Sequence, residues 1–261
     1  MPNLLACAEL TRRRGSLALC LLLCGLDPGL CGNGQATSFT TFDVLGARQT
    51  APVSINPQGA ITGGYETVTG HHGFLRASDG TLTTFDVPGA DRTDPKSINS
   101  TGAITGVYFD TNATRSHGFL RAPDGTFTTF DGPSSVQGTE PISINPAGTI
   151  TGCYRDTNGQ CHSFLRAPDG TFTTFDPPGA IFSFAESINP DGAITGNSVD
   201  ANSVEHGYLR ALDGTFTTLD APGAGTVAGQ GTFAASINPA GAITGSYRDA
   251  SSFDHGFLRS P

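Results

Sequence analysis

Five copies of one phrase limit what this chain can become. His-Gly-Phe-Leu-Arg begins at His72, His117, His162, His206 and His255, with Ser163 for glycine in the third copy and Tyr208 for phenylalanine in the fourth. The steps between copies are 45, 45, 44 and 49 residues. Self-similarity at that period gives one supersecondary unit per copy, each burying its apolar face only against its neighbours.

One unit reads as four short strands. Residues 53–56 (Val-Ser-Ile-Asn) are strand a, and Asn-Pro-Gln-Gly makes a turn. Residues 60–65 are strand b, 72–76 strand c, and Asp79-Gly80 turns the chain into strand d at 82–86. The chain opens on a lone d strand at 40–43 and closes on a c strand at 257–259. Joining the two would seal a ring and remove free sheet edges. The expected fold is therefore all-β: a five-bladed β-propeller with four antiparallel strands per blade and 3+1 closure by the N-terminal strand.

The c–d turn sets a register. A three-residue hairpin loop with Gly80 left-handed puts Ala77 opposite Thr81, hence His72 opposite Asp86. The same spacing of 14 pairs His117 with Asp131, His162 with Asp176 and His206 with Asp220. Closure would pair His255 with Asp43. One such pair per blade is what a structural hydrogen bond requires, and ring-spaced pairs cannot converge on one ion. The per-blade arginines (Arg76, Arg121, Arg166, Arg210, Arg259) read likewise as surface or inter-blade groups.

These residues resemble the extracellular HAF-type repeat family, over residues 37–261. The resemblance implies export and a propeller-like fold, and it carries over no catalytic residue.

Residues 1–36 differ in kind. Three arginines (Arg12, Arg13, Arg14) precede an apolar run from 17 to 23, then small residues at Gly34 and Ala36. This predicts a secretory signal peptide over 1–36 and a single repeat domain over 37–261. The run is too short to span a bilayer, and Leu19 and Leu23 before Cys20 and Cys24 argue against a lipid anchor. The product expected is a secreted, periplasmic or cell-surface monomer with no membrane span. The net charge is −9, with 14 basic and 23 acidic residues. Removing three arginines and two acids with the leader makes it −10. An acidic chain whose only lysine is Lys96 repels phosphate backbones, which speaks against nucleic-acid partners. Cys153 and Cys161, the two cysteines left after export, are expected to form a structural disulfide.

Antiparallel order sends the repetitive a–b and c–d turns to one end and the b–c loops and d-to-a crossovers, different in every unit, to the other. The varied end is the expected binding face. There a glycan or protein ligand would meet Lys96, Glu140 and Glu186, with Phe109, Phe182, Phe184, Phe233 and Phe253 as apolar anchors. An alternative is a glycosidase using Asp94, Glu140 and Glu186 at the channel mouth; another is a structural envelope repeat without ligand. The Asp-x-Asn loops at Asp110, Asp156 and Asp200 look like fragments of calcium loops but supply too few oxygens, so Asx-turn chemistry is expected and no cofactor.

Overall fold

The computed structural model describes residues 38–111 and 115–261. The expected leader lies outside the described residues, as does Asn112. Residues 43–261 form one unit built of five antiparallel meanders. Module 1 contains β1 (Gln49–Ile55), β2 (Ile61–Glu66), β3 (His71–Arg76) and β4 (Leu82–Phe85). Module 2 contains β5 (Ala90–Ile98), β6 (Ile104–Asp110), β7 (Ser116–Arg121) and β8 (Phe127–Phe130). Module 3 contains β9 (Gly138–Ile144), β10 (Ile150–Arg155), β11 (Cys161–Arg166) and β12 (Phe172–Phe175). Module 4 contains β13 (Ala180–Ile188), β14 (Ile194–Asp200), β15 (Glu205–Arg210) and β16 (Phe216–Leu219). Module 5 has three strands, β17 (Gly231–Ile237), β18 (Ile243–Arg248) and β19 (Asp254–Arg259). Short parallel bridges at His71/Arg92, Ser116/Gly138 and Glu205/Gly231 zip neighbouring modules at the varied end.

Each repeated residue has a job between or within modules. In Ser-Ile-Asn, the serine oxygen accepts the next module's isoleucine N–H: Ile98 to Ser54, Ile144 to Ser97, Ile188 to Ser143 and Ile237 to Ser187. Those four isoleucines are buried in clusters shared with the preceding module, such as Ile98, Ile104 and Phe119 against Phe85 and Val87. Burying each such side chain contributes about 1.5–3 kcal/mol. The asparagine holds the a–b turn with Oδ1 and donates Nδ2 to the next asparagine's carbonyl, Asn56 to Asn99 to Asn145 to Asn189. Arg121, Arg166 and Arg210 lie over Phe85, Phe130 and Phe175 of the preceding module at 4.9, 4.8 and 4.7 Å. They therefore stack between modules rather than standing as free surface charges.

The glycine of Ile-Thr-Gly answers a bulge. Strand a slips register just before its serine in every module. The slip drives a carbonyl into the space a Cβ would need at the facing glycine: Asp94 at Gly106, Glu140 at Gly152 and Phe184 at Gly196. The bulged residues are Val53, Lys96, Ile142, Glu186 and Ala235. A bulge re-aims its side chain, which is how one scaffold presents five different residues at one position.

The hairpin register is the expected one, with Gly73 opposite Phe85 and Gly80 at φ 94°. The closure is not. Residues 38–44 carry no strand, and β19 is hydrogen-bonded to β18 alone among the described strands. Ile55 is 65% exposed where its four counterparts are 5–6% exposed, and Leu258 is 76% exposed. Leu258 thus leaves the trailing face of module 5 open, while module 1 is covered in part: Val44 is buried and donates its N–H to Thr50 Oγ1 as Val87 does to Thr93, and Phe74 is buried. His255 does not reach for Asp43: its Nε2 lies 3.1 Å from Asp249 Oδ2, the carboxylate its own b–c loop supplies.

Candidate binding site

Four unrepeated residues singled out from the sequence meet in one place. Asp94 and Lys96 on β5, Phe109 on β6 and Glu140 on β9 line a cavity of about 440 Å³ between modules 2 and 3, with Arg92 and Ile142. Pleat and bulge together explain this. Arg92, Asp94 and the bulged Lys96 leave β5 on the cavity side, while Phe109 faces them from the paired strand. A second cavity of about 190 Å³, between modules 1 and 2, shares Arg92, Asp94 and Lys96.

The charges of the larger cavity are unevenly satisfied. Arg92 Nε bonds Asp94 Oδ2 at 2.5 Å, and its guanidinium also lies 5.6 Å from the Phe109 ring. Arg155 holds Glu140 at 3.3 Å. Both carboxylates are therefore ion-paired, and Lys96 makes no ion pair among the described residues. The lining thus offers a free ammonium and an aromatic face. Arg92 and Arg155 went unremarked in the sequence because each lies on a variable segment. Their signal was a basic residue two positions from an acid, along one strand for Arg92 and Asp94 and diagonally across paired strands for Arg155 and Glu140.

Glu186 sits one module further along. It is partly buried, with Asn197 Nδ2 3.5 Å from its Oε1. Burial first, then the charge of Glu140, push its carboxyl above the usual range. Phe182, Phe184 and Phe233 are half-buried on β13 and β17, outside the 440 Å³ cavity, and Phe253 is 67% exposed at the β18–β19 loop. The five aromatics therefore do not form one patch.

The histidines are held in place by their own module. Nδ1 of His72, His117, His162 and His206 lies 3.0, 2.8, 2.8 and 2.9 Å from Asp86, Asp131, Asp176 and Asp220. Nε2 of His117, His162 and His206 looks to Asp110, Asp156 and Asp200 at 4.0, 3.7 and 3.8 Å. In the last two loops the aspartate Oδ1 also accepts two backbone N–H groups, from Asn158 and Gln160 and from Asn202 and Val204. Those bonds hold the Asp156 and Asp200 carboxyls below their ordinary range. The aspartates thus fasten loop to imidazole, and their oxygens do not turn toward a common ion.

Cys153 and Cys161 are fully buried on adjacent strands with their sulfurs 2.6 Å apart and unbonded. The expected disulfide is thus absent as a bond, though both thiols occupy the positions it would need. The hydrogen bond with the Cys161 thiol first, and burial second, push the Cys153 thiol up.

No protein-family model and no curated protein sequence matches the chain. Solved structures do. A TolB-like protein from Agrobacterium tumefaciens superposes with a TM-score of 0.57 at 16% identity, over 80% of this chain and 76% of that one. TolB from Acinetobacter baumannii gives 0.50 at 15% identity, over 80% and 54%. A puromycin hydrolase S511A mutant gives 0.50 at 14%, over 78% and 36%. At such identities the likeness is one of fold alone: the chain is all-β and similar to β-propellers. Among the described residues no helix is long and apolar enough to cross a membrane.

Proposed function

We propose that this chain is an exported five-bladed propeller of the HAF-repeat type, acting as a non-catalytic binding module for a glycan or protein ligand. The observation that carries this reading is the convergence of Asp94, Lys96, Phe109 and Glu140 on one cavity at the varied end. Such a volume suits a ligand the size of one or two sugar rings or a short peptide segment. Phe109 supplies a stacking face, and Lys96 is free to bond an acceptor. A glycan array probed with residues 37–261 tests it. A reproducible hit lost in Lys96→Ala and Phe109→Ala supports the module. A blank array together with no protein captured from the native envelope leaves a structural repeat protein.

Closure of the ring belongs to the same proposal. The exposed Ile55 and Leu258 occupy the two halves of an interface formed four times within the chain, and residues 40–43 carry the missing d-strand sequence. Deleting residues 37–44 should lower the melting temperature by several degrees; an unchanged transition sinks closure. A glycosidase is the second reading. Glu186 is pushed toward its protonated form beside the Arg155-held Glu140, an acid and a carboxylate in differing environments. Turnover of any aryl glycoside, lost in Glu186→Gln, would establish it.

A further inference from the structure

Four of the five modules carry a tyrosine on strand b that lies against the histidine of strand c. Tyr65, Tyr108, Tyr154 and Tyr247 stand 5.1, 5.1, 5.5 and 4.9 Å, ring to ring, from His72, His117, His162 and His255. Burial pushes the Tyr108 and Tyr154 hydroxyls above their ordinary pKa, and hydrogen bonding toward Thr129 and Thr174, the second threonine of strand d, opposes that shift. In module 4 that strand-b position is Ser198, opposite His206 in the same register. The ring is missing and its surroundings are kept. A partly enclosed cavity of about 210 Å³ lies there, lined by Ser198, His206, Thr218, Pro177, Pro178 and Tyr208. Thr218 is the module 4 counterpart of Thr129 and Thr174.

We propose that this cavity is a binding site for a p-hydroxyphenyl ring supplied from outside the chain. The imidazole of His206 is oriented by Asp220 at 2.9 Å and by Asp200 at 3.8 Å, and it offers the stacking face that tyrosine uses in the other modules. Thr218 offers the hydroxyl partner, and Pro177, Pro178 and Tyr208 wall the ring. The volume is sufficient, since a cavity of about 150 Å³ takes up benzene. The site opens at the varied end, beside the Pro177–Ala180 crossover, and is separate from the cavity between modules 2 and 3. Its fate therefore does not decide the glycan-or-protein reading above. A ring of this kind reaches the protein either as a free phenol or as a tyrosine side chain of a polypeptide, and the probes separate the two.

The test is a titration of the full mature chain, followed by NMR on the His206 and Thr218 signals, with p-cresol, toluene and N-acetyltyrosinamide. Saturable p-cresol shifts are expected, with toluene about fivefold weaker for want of the hydroxyl bond. Ser198→Tyr should fill the cavity from within and abolish binding while raising the melting temperature. Thr218→Val, which keeps the walls, should bring p-cresol down to the level of toluene. Binding of N-acetyltyrosinamide at least as tight as p-cresol assigns the site to a polypeptide tyrosine; its exclusion assigns it to a free phenol. No saturable shift with p-cresol, equal affinity for toluene, or undiminished binding in Ser198→Tyr would each overturn the proposal.

Discussion

Modules 2 and 4 share a backbone plan and differ in almost every place where chemistry could differ. In module 2, Thr93 Oγ1 accepts the N–H of Val87, Phe119 packs edge-on against Phe85 of module 1, and Tyr108 covers His117. In module 4 the residue corresponding to Val87 is Pro177, which has no N–H to donate. Its partner is Ser183 rather than threonine, and that hydroxyl turns elsewhere: it lies 2.6 Å from Asp176 Oδ1 and accepts the Ser163 N–H at 2.9 Å. Ser163 in turn lies 3.1 Å from the hydroxyl of Tyr208, which is 1% exposed. Tyr208, Ser163, Ser183, Asp176 and His162 are thus linked by hydrogen bonds into one chain, with Ser183 Oγ donating toward both Ser163 Oγ and an Asp176 carboxylate that also holds an imidazole. The two departures visible in the motif, serine for glycine and tyrosine for phenylalanine, are the two ends of one buried hydrogen bond between modules. Departures from a repeat come in physically coupled groups, because a lone buried hydroxyl would be unsatisfied.

What the modules share should break first. Gly106→Ala and Gly196→Ala both put a Cβ into a bulged backbone carbonyl, where no side-chain rotation relieves the overlap. Each should cost about 3 kcal/mol or more, read as a lower denaturant midpoint at unchanged slope. A marked difference between them would mean that the bulges are not equivalent. What distinguishes the modules comes next. Tyr208→Phe and Ser163→Gly should each cost about 1–2 kcal/mol, and the double variant less than the sum, with a coupling of about 1 kcal/mol in the cycle. The converse change, Phe119→Tyr in module 2, buries a hydroxyl toward module 1, where the counterpart of Ser163 is Gly73, and should destabilise by about 1–3 kcal/mol. Strict additivity of the first pair would dissolve the proposed coupling.

The scaffold was legible because repetition states the same physics five times. The Asp-Gly-Thr turn sets the c–d register, and alternation about Ile-Thr-Gly sets the b strand. The convergence of Asp94, Lys96 and Glu140 was also legible, since each breaks the repeat on strand a at the same end. Three things were not. The bulge leaves no mark except the glycine opposite it, and a glycine in a strand has several explanations. The ion pairs of Arg92 and Arg155 depend on which side chains a bulge re-aims. The vacancy at Ser198 shows only when module 4 is aligned strand by strand, because a serine on strand b looks unexceptional until the tyrosine ring it replaces is placed against His206. The His255–Asp43 pairing fails for want of a d strand beside β19 among the described strands: Asp249 meets His255 Nε2 just as Asp156 and Asp200 meet Nε2 of His162 and His206, whose Nδ1 still bonds the d-strand aspartate.

The smallest effect expected concerns the bulge position itself, Lys96 in module 2 and Glu186 in module 4. Lys96 is exposed; Glu186 is held in a place that disfavours its charge, by burial first and by Glu140 second. A carboxyl whose folded pKa lies above its unfolded value adds stability below the unfolded value, about 4.3. That contribution is lost as pH rises through the folded value. Glu186→Gln does not titrate, so its melting temperature should gain on that of the parent between about pH 4 and pH 7, by a degree or two. In Glu140→Gln the lesser of the two causes is gone while burial remains. The pH dependence contributed by Glu186 should then shrink but persist. If it vanishes, the charge of Glu140 rather than burial governs the site, and the two carboxyls form a closer pair than the packing of Glu186 implies. If it is unchanged, the two carboxyls act independently, and the acid-and-carboxylate pairing behind the glycosidase reading loses its electrostatic basis.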